Sequence, residues 1–396
     1  MYQRHIQSVL KKYAKQYPIV TLNGPRQSGK STLSQETFPK YRYVSLEDPD
    51  MREFAMLDPR SFLETYDEQV IIDEIQHVPH LFSYLQTHVD RQKKTGQFIL
   101  TGSQQFLLNA KISQSLAGRT AILRLLPLSL SELLFNPPQT YWQTGKLSDI
   151  PQPIESLYYY LWHGFYPRLN QNNLDPSQFF RDYFETYITK DITSLLNVGD
   201  LQKFQLFLRA IAARCGQRVN LSSLGNDLGL SHTTISRWLS VLEASFIIYL
   251  LPPHFKNFNK RLIKSPKIYF LDSGLLCYLL RIKNLEELQT HALIGGIFES
   301  FVVSEIFKSF YNTGSEAPLY FWQDSTGDEI DLLIDRGKSL FPIEIKASQT
   351  LAQHFFTNLQ KWLDLPKNPQ KEGCLIYAGK TKQKRQNITV IPWYLL

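Results

Sequence analysis

Residues 22–32 read LNGPRQSGKST and follow the apolar stretch YPIVT. No other segment constrains the fold as much. Gly24, four intervening residues, Gly29, Lys30 and Ser31 stand between a run that reads as a buried strand and a run that reads as a helix. Where a strand turns tightly into a helix, N–H groups of the turn and of the helix N-terminus converge on one small volume and favour an anion there. Glycines let the backbone come close to phosphate oxygens. Gly24, Pro25, Arg26, Gln27, Ser28, Gly29, Lys30, Ser31 and Thr32 are therefore the expected cradle for ATP. In that reading Lys30 reaches the β- and γ-phosphates, and the Ser31 hydroxyl ligates Mg²⁺. The bland alternative is a glycine-rich surface turn.

The segments that follow support a phosphate-binding α/β domain. IVTLNG, YRYVSLE, QVIIDEI, QFILTGS and TAILRLL alternate with helical patterns. Strands buried on both faces read as continuous apolar runs, and alternation with helices implies a parallel sheet. QVIIDEIQHVP ends its strand in two carboxylates. Asp73 is placed to hold the Mg²⁺ through water, and Glu74 to polarise the water that attacks the γ-phosphate. QFILTGSQQ reads as a strand inserted between the loop strand and the acidic strand. It presents Ser103 or Gln104 near the γ-phosphate, although a polar strand-to-helix cap serves Ser103 equally well. Arg119 in SLAGRT either faces a neighbouring subunit's nucleotide or is a solvated arginine at a helix C-terminus.

A chain of 396 residues exceeds one ordinary core, so about two to four domains are expected. Apolar runs such as SFIIYLL at 245–251 are too short to span a bilayer. The charged N-terminus has no secretory signal pattern. Cys215, Cys277 and Cys374 lie far apart, which fits neither a metal site nor a disulfide framework and agrees with a cytoplasmic protein. The net charge of +7 is compatible with nucleic acid but is spread over the chain.

NLSSLGNDLGLSHTTISRWLSVLEASF reads as a helix-turn-helix. Leu221, Leu224, Leu228 and Leu230 form one stripe, Gly229 precedes the break, and Ser231 is the expected N-cap of the second helix. Ile235, Leu239 and Leu242 then point inward. His232, Thr233, Thr234, Ser236 and Arg237 are left outward, where DNA-binding versions meet bases and phosphates. The wing that follows carries Lys256, Lys260, Arg261, Lys264 and Lys267, which suit phosphate neutralisation. Packing modules also use this fold, so the DNA reading stands beside a subunit-contact reading.

FWQDSTGDEIDLLIDRGKSLFPIEIKAS reads as a β-hairpin. Glu344 and Lys346 share a face by strand alternation, and Asp331 on the neighbouring strand can join them. Glu299 or Glu305 on an upstream helix adds a further carboxylate. Asp331, Glu344 and Lys346 in that arrangement bind Mg²⁺ and activate water for phosphodiester cleavage. A solvent-facing strand pair is the ordinary reading of Glu-x-Lys.

GPRQSGKST, YVSLEDPD, VIIDEIQHVP, TGS and SLAGR…LLPLSLSEL together resemble the AAA-type ATPases of the family that carries a C-terminal DUF4143 region. YITKDI, KSPKIYFLDSGLLCYL, FESFVVSEIFK and DEIDLLI…PIEIKAS extend the resemblance over nearly the whole chain. Where relatives typically carry Gly-Gly-x-Pro after the core, this chain has HGFYP, from His163 to Pro167. The resemblance implies an α/β P-loop core over residues 1–135, a helical lid over 136–217, a winged helix-turn-helix over 218–265, and a restriction-endonuclease-like α/β domain over 266–396. Two readings stay open. One is an ATP-hydrolysing, Mg²⁺-dependent machine acting on DNA, with a nuclease-like end. The other is a nucleotide-gated switch or regulator that binds DNA or protein without cleaving. The expected partners are DNA and a second copy of the chain, with no membrane.

Overall fold

The structure is a computed structural model that describes residues 2–103, 115–192, 200–254, 265–324, 327–366 and 368–396. Gln104, Lys256, Lys260, Arg261 and Lys264 lie outside the described residues. The chain forms two compact units. The first comprises residues 1–128 with Ala244–Phe246 and Tyr311–Ser315, and the second comprises the remainder.

The first unit is built on a parallel five-stranded sheet. Its strands are β1 (Ile19–Asn23), β2 (Arg42–Ser45), β3 (Val70–Asp73), β4 (Phe98–Gly102) and β5 (Thr120–Arg124), in the order β2-β3-β4-β1-β5. All four pairings are parallel. β4 thus lies between β1 and β3, the place expected for it. Side-chain alternation divides the apolar runs between two cores. Ile19, Val70, Ile72, Phe98 and Leu100 face one core with Phe62 and Phe82. Val20, Leu22, Ile71 and Ile99 face the other with Ile6, Leu10 and Leu33. Helices on both faces explain why every residue of β1, β3 and β4 is buried.

The second unit holds a six-stranded mixed sheet. Its strands are β8 (Leu319–Gln323), β9 (Glu329–Asp335), β10 (Leu340–Lys346), β11 (Gly373–Tyr377), β12 (Gln383–Arg385) and β13 (Ile388–Pro392), in the order β12-β13-β11-β10-β9-β8. Trp362 and Leu363, on a helix over Thr357–Leu363, cover Leu333, Leu375 and Val390. A two-stranded sheet pairs β6 (Ile248–Leu251) with β7 (Lys267–Phe270).

The helix-turn-helix forms where the sequence places it. Helices cover Leu221–Leu228 and His232–Ala244. Gly229 adopts φ +61°, and the Ser231 hydroxyl accepts the Thr234 N–H at 3.1 Å. Ile235, Leu239 and Leu242 are buried, while His232, Thr233, Ser236 and Arg237 are exposed. Among the described residues, no helix is long and apolar enough to cross a membrane.

Candidate functional site

The loop at the end of β1 is held by close backbone packing. A Cβ on Gly24 would lie 2.0 Å from the Leu125 carbonyl oxygen, so no other residue fits there. Gly29 sits at φ +91°, the left-handed conformation in which glycine carries no side-chain penalty, and starts the helix Lys30–Thr37. Arg4 donates to the Ser28 and Leu126 carbonyls, both at 2.7 Å. It ties the loop to the end of β5, and nothing in the local sequence marks it.

Lys30 is buried and donates to the carbonyls of Gly24 at 3.0 Å and Pro25 at 2.9 Å. Burial pulls its ammonium below the ordinary lysine range, against the opposing charges of Glu74 and Asp73. The Ser31 hydroxyl donates to Asp73 Oδ1 at 2.8 Å. Thr101 donates to the same oxygen, and the Tyr43 hydroxyl donates to Oδ2 at 2.8 Å. Burial and the Asp73 charge push the Tyr43 phenol up.

Glu74 follows directly in a left-handed conformation at φ +51°. A non-glycine residue held there is strained, and such strain concentrates at functional sites. Its Oε2 accepts from the Ser103 hydroxyl at 3.0 Å and from the Gln76 amide. Burial raises the Glu74 carboxyl, but Lys30 and these two donors outweigh it, so the group lies below its ordinary range and stays ionised.

Lys30, Ser31, Asp73, Glu74 and Ser103 therefore meet at the C-terminal ends of β1, β3 and β4. Among the described residues, Ser28 Oγ and both amide atoms of Asn23 are buried with no hydrogen-bond partner. Buried polar groups are ordinarily paired, so these orphans beside a glycine turn and a helix N-terminus fit a phosphate chain. The Ser31 hydroxyl and the Asp73 carboxylate beside it fit a cation held by oxygen donors.

Arg119 is not part of this cluster. It makes a two-point ion pair with Asp90, at 2.7 Å for each contact. It stands just before β5, at the sheet edge where strands begin, and its carbonyl accepts the Ile19 N–H. The phosphate loop leaves β1 at the other edge.

Residues 16–134 match the AAA domain family. Residues 294–396 match the domain of unknown function DUF4143. The chain thus carries an AAA domain of the P-loop type at its N-terminus and a DUF4143 region at its C-terminus. Between those regions, residues 154–286 match a second domain of unknown function, DUF8612. An uncharacterized protein of Mycobacterium tuberculosis is 28% identical over 337 residues, covering 84% of this chain and 71% of that one. One of Haemophilus influenzae is 23% identical over 281 residues, covering 65% and 68%. Among solved structures, the Walker-type ATPase of Pyrococcus abyssi overlays with a TM-score of 0.46 at 16% identity, covering 71% of this chain and 96% of that one. AMPPCP-bound DnaA from Aquifex aeolicus gives 0.30 at 14% identity, covering 60% and 85%.

In the DUF4143 region, β9 and β10 pair antiparallel with Ile343 opposite Leu332. Continuing that register sets Glu344 opposite Asp331. Lys346 bonds Glu344 Oε2 at 2.6 Å and Asp331 Oδ2 at 3.4 Å, and Asp331 also accepts the Ile345 N–H at 2.8 Å. The expected trio meets. The upstream carboxylate is Glu299, in the field of Asp331. Glu305 instead accepts the Leu130 N–H at 2.7 Å and the Lys308 ammonium at 2.9 Å.

Lys267 on β7 also enters the cluster. It pairs with Glu329 and reaches Glu299 at 3.3 Å, and Tyr269 donates to the same Glu299 oxygen at 2.6 Å. Burial pushes Glu299 up to about 7, against Lys267. Burial and the Asp331 charge raise Glu344 well above its ordinary range, and Glu344 Oε1 is buried without a partner.

The three side chains thus stand together as the sequence expectation grouped them. In this structure the Lys346 ammonium bonds both Asp331 and Glu344. Among the described residues, no three His, Cys, Asp or Glu side chains are grouped to hold a metal ion. Lys267, expected as a phosphate contact on the wing, is instead buried among these carboxylates.

Proposed function

We propose that the AAA domain hydrolyses ATP with Mg²⁺, and that its cycle governs a DNA-contacting second unit that grips without cutting. The observation that carries the ATPase reading is the meeting of Lys30, Ser31, Asp73 and Glu74 around one loop. Magnesium, when bound with the triphosphate, supplies charge neutralisation at the transferring phosphoryl group. Lys30 leaves the loop carbonyls for phosphate oxygens and so regains the opposite charge that its burial demands. Ser31 and Asp73 hold the cation, Asp73 through water. Glu74 stays ionised and accepts a proton from the attacking water. Ser103 and Gln76 hold its carboxylate in place, so Ser103 is a positioning residue.

DNA contact rests on the exposed polar face of the second helix of the helix-turn-helix: His232, Thr233, Ser236 and Arg237 near its N-terminal end. The non-cleaving reading rests on geometry in the DUF4143 region, where Lys346 and Lys267 occupy the carboxylates.

Calorimetry with MgATP is expected to show uptake by the parent and none by Lys30→Ala. Uptake by Lys30→Ala equal to the parent's removes the loop as the site. Turnover is expected to rise when duplex DNA is added and to stay at its basal rate with Arg237→Ala. Unchanged turnover with DNA favours the nucleotide-gated switch instead. Incubation with Mg²⁺ and supercoiled DNA is expected to leave the DNA intact for the parent, Asp331→Ala and Lys346→Ala alike. Nicking by the parent that both variants abolish would overturn the non-cleaving reading.

A further inference from the structure

The second unit contains a cleft of about 270 Å³ whose walls all belong to the DUF8612 stretch. Its apolar lining includes Trp162, Phe180 and Tyr278, and its mouth carries Arg209, Arg281 and Lys283. The volume lies just under the range typical of sites for drug-sized molecules, so the occupant is small. The Trp162 N–H is tied to the Ile282 carbonyl at 3.4 Å, which leaves the indole as an apolar surface. Gly274 lets the buried Phe180 ring pack directly on the backbone beneath the cleft: a Cβ there would lie 2.6 Å from that ring.

Among the described residues, no carboxylate lies within 4.0 Å of Arg209, Arg281 or Lys283. Asp182 and Glu185 act on the Tyr278 hydroxyl but do not line the cleft.

Arg281 is fixed at the rim by the end of a helix. The helix Ser273–Leu279 ends in the two-bond motif that closes helices with a left-handed residue. The Arg281 N–H bonds the Tyr278 carbonyl at 3.0 Å, and the Ile282 N–H bonds the Cys277 carbonyl at 3.0 Å. Arg281 occupies the left-handed position at φ +61°, where glycine is the ordinary residue. Folding alone favours glycine there, and this chain places a long cation at the rim of an aromatic cleft.

We propose that this cleft binds one nucleotide unit, its base against the half-buried Trp162 and Tyr278 and its phosphate on Arg209, Arg281 and Lys283. Aromatic rings accept any base by stacking, and guanidinium groups pair with phosphate through two parallel hydrogen bonds. The unit comes either from a free nucleotide or from a single strand of DNA. The site is separate from the P-loop and does not depend on the ATPase reading.

The test measures binding of AMP and of a short labelled oligodeoxyadenylate to the full chain by calorimetry and fluorescence anisotropy. Parent protein, Arg281→Gly and Tyr278→Ala are compared, with MgATP uptake and thermal midpoint recorded for each. The expected result is a loss of affinity of about tenfold or more in both variants, with MgATP uptake intact. Arg281→Gly is expected to melt at or above the parent's temperature, which separates lost recognition from lost folding. Binding of AMP that the oligonucleotide displaces assigns the cleft to both sources. Binding of only one assigns it to that one. Parental affinity for both probes in Arg281→Gly and Tyr278→Ala, or no binding of either probe by the parent, overturns the proposal.

Discussion

Glu74→Gln is expected to leave MgATP bound and almost unhydrolysed. The substitution keeps the side chain's shape and the left-handed backbone at φ +51°, which glutamine tolerates no worse than glutamate. One amide oxygen still accepts from Ser103 and Gln76. What disappears is the negative charge that Lys30 and these donors hold ionised in spite of burial. Loss of a positioned general base costs about 10²- to 10⁴-fold in rate. Single-turnover assays that separate bound ATP from ADP check this. A rate within about threefold of the parent's removes Glu74 from the chemical step.

Lys308→Ala is expected to be the most destabilising single change in the second unit. Lys308 and Glu305 are each about 1% exposed and pair at 2.9 Å. The Lys308 ammonium also lies 4.5 Å from the centre of the Phe165 ring. Glu305 spends its other oxygen on the Leu130 N–H. Truncating the lysine leaves a buried carboxylate facing only that N–H and opens a void beside Phe165. Breaking a buried pair from one side costs about 3–5 kcal/mol. Denaturant melts compare the parent, Lys308→Ala and the double change Glu305→Gln with Lys308→Met. The double variant is expected to recover most of the loss, because neither new side chain carries a charge. A loss under about 1 kcal/mol in Lys308→Ala sinks the argument.

The contrast between Glu299 and Glu305 shows where reading along the chain stopped. Both lie on the helix Ile294–Asn312. Six residues further along, a helix has turned by about 240°, so the two carboxylates cannot share a face. Either one was eligible to join Asp331. Packing of this helix gave Glu299 the place beside β7 and β9 and sent Glu305 to Leu130.

Tyr43, Thr101 and Arg4 were missed at the phosphate loop for a related reason. Tyr43 and Thr101 reach the site from neighbouring strands, whose places are set by sheet order rather than by sequence distance, and Arg4 reaches it from the segment before the first helix. Tyr43 lies directly across from Ile71 in the pairing of β2 with β3.

Local chemistry by itself determined the phosphate loop, the acidic strand end, the helix-turn-helix and the α/β alternation. Each depends on residues a few positions apart, and chain geometry alone brings such residues together. Tertiary structure alone decided that Lys267 and Lys346 would occupy the DUF4143 carboxylates, that Arg119 would pair with Asp90, and that Arg281 would rim an aromatic cleft. Those outcomes turn on which faces of separate elements are buried against each other, and burial is what makes an ion pair obligatory or leaves a cation free for a ligand.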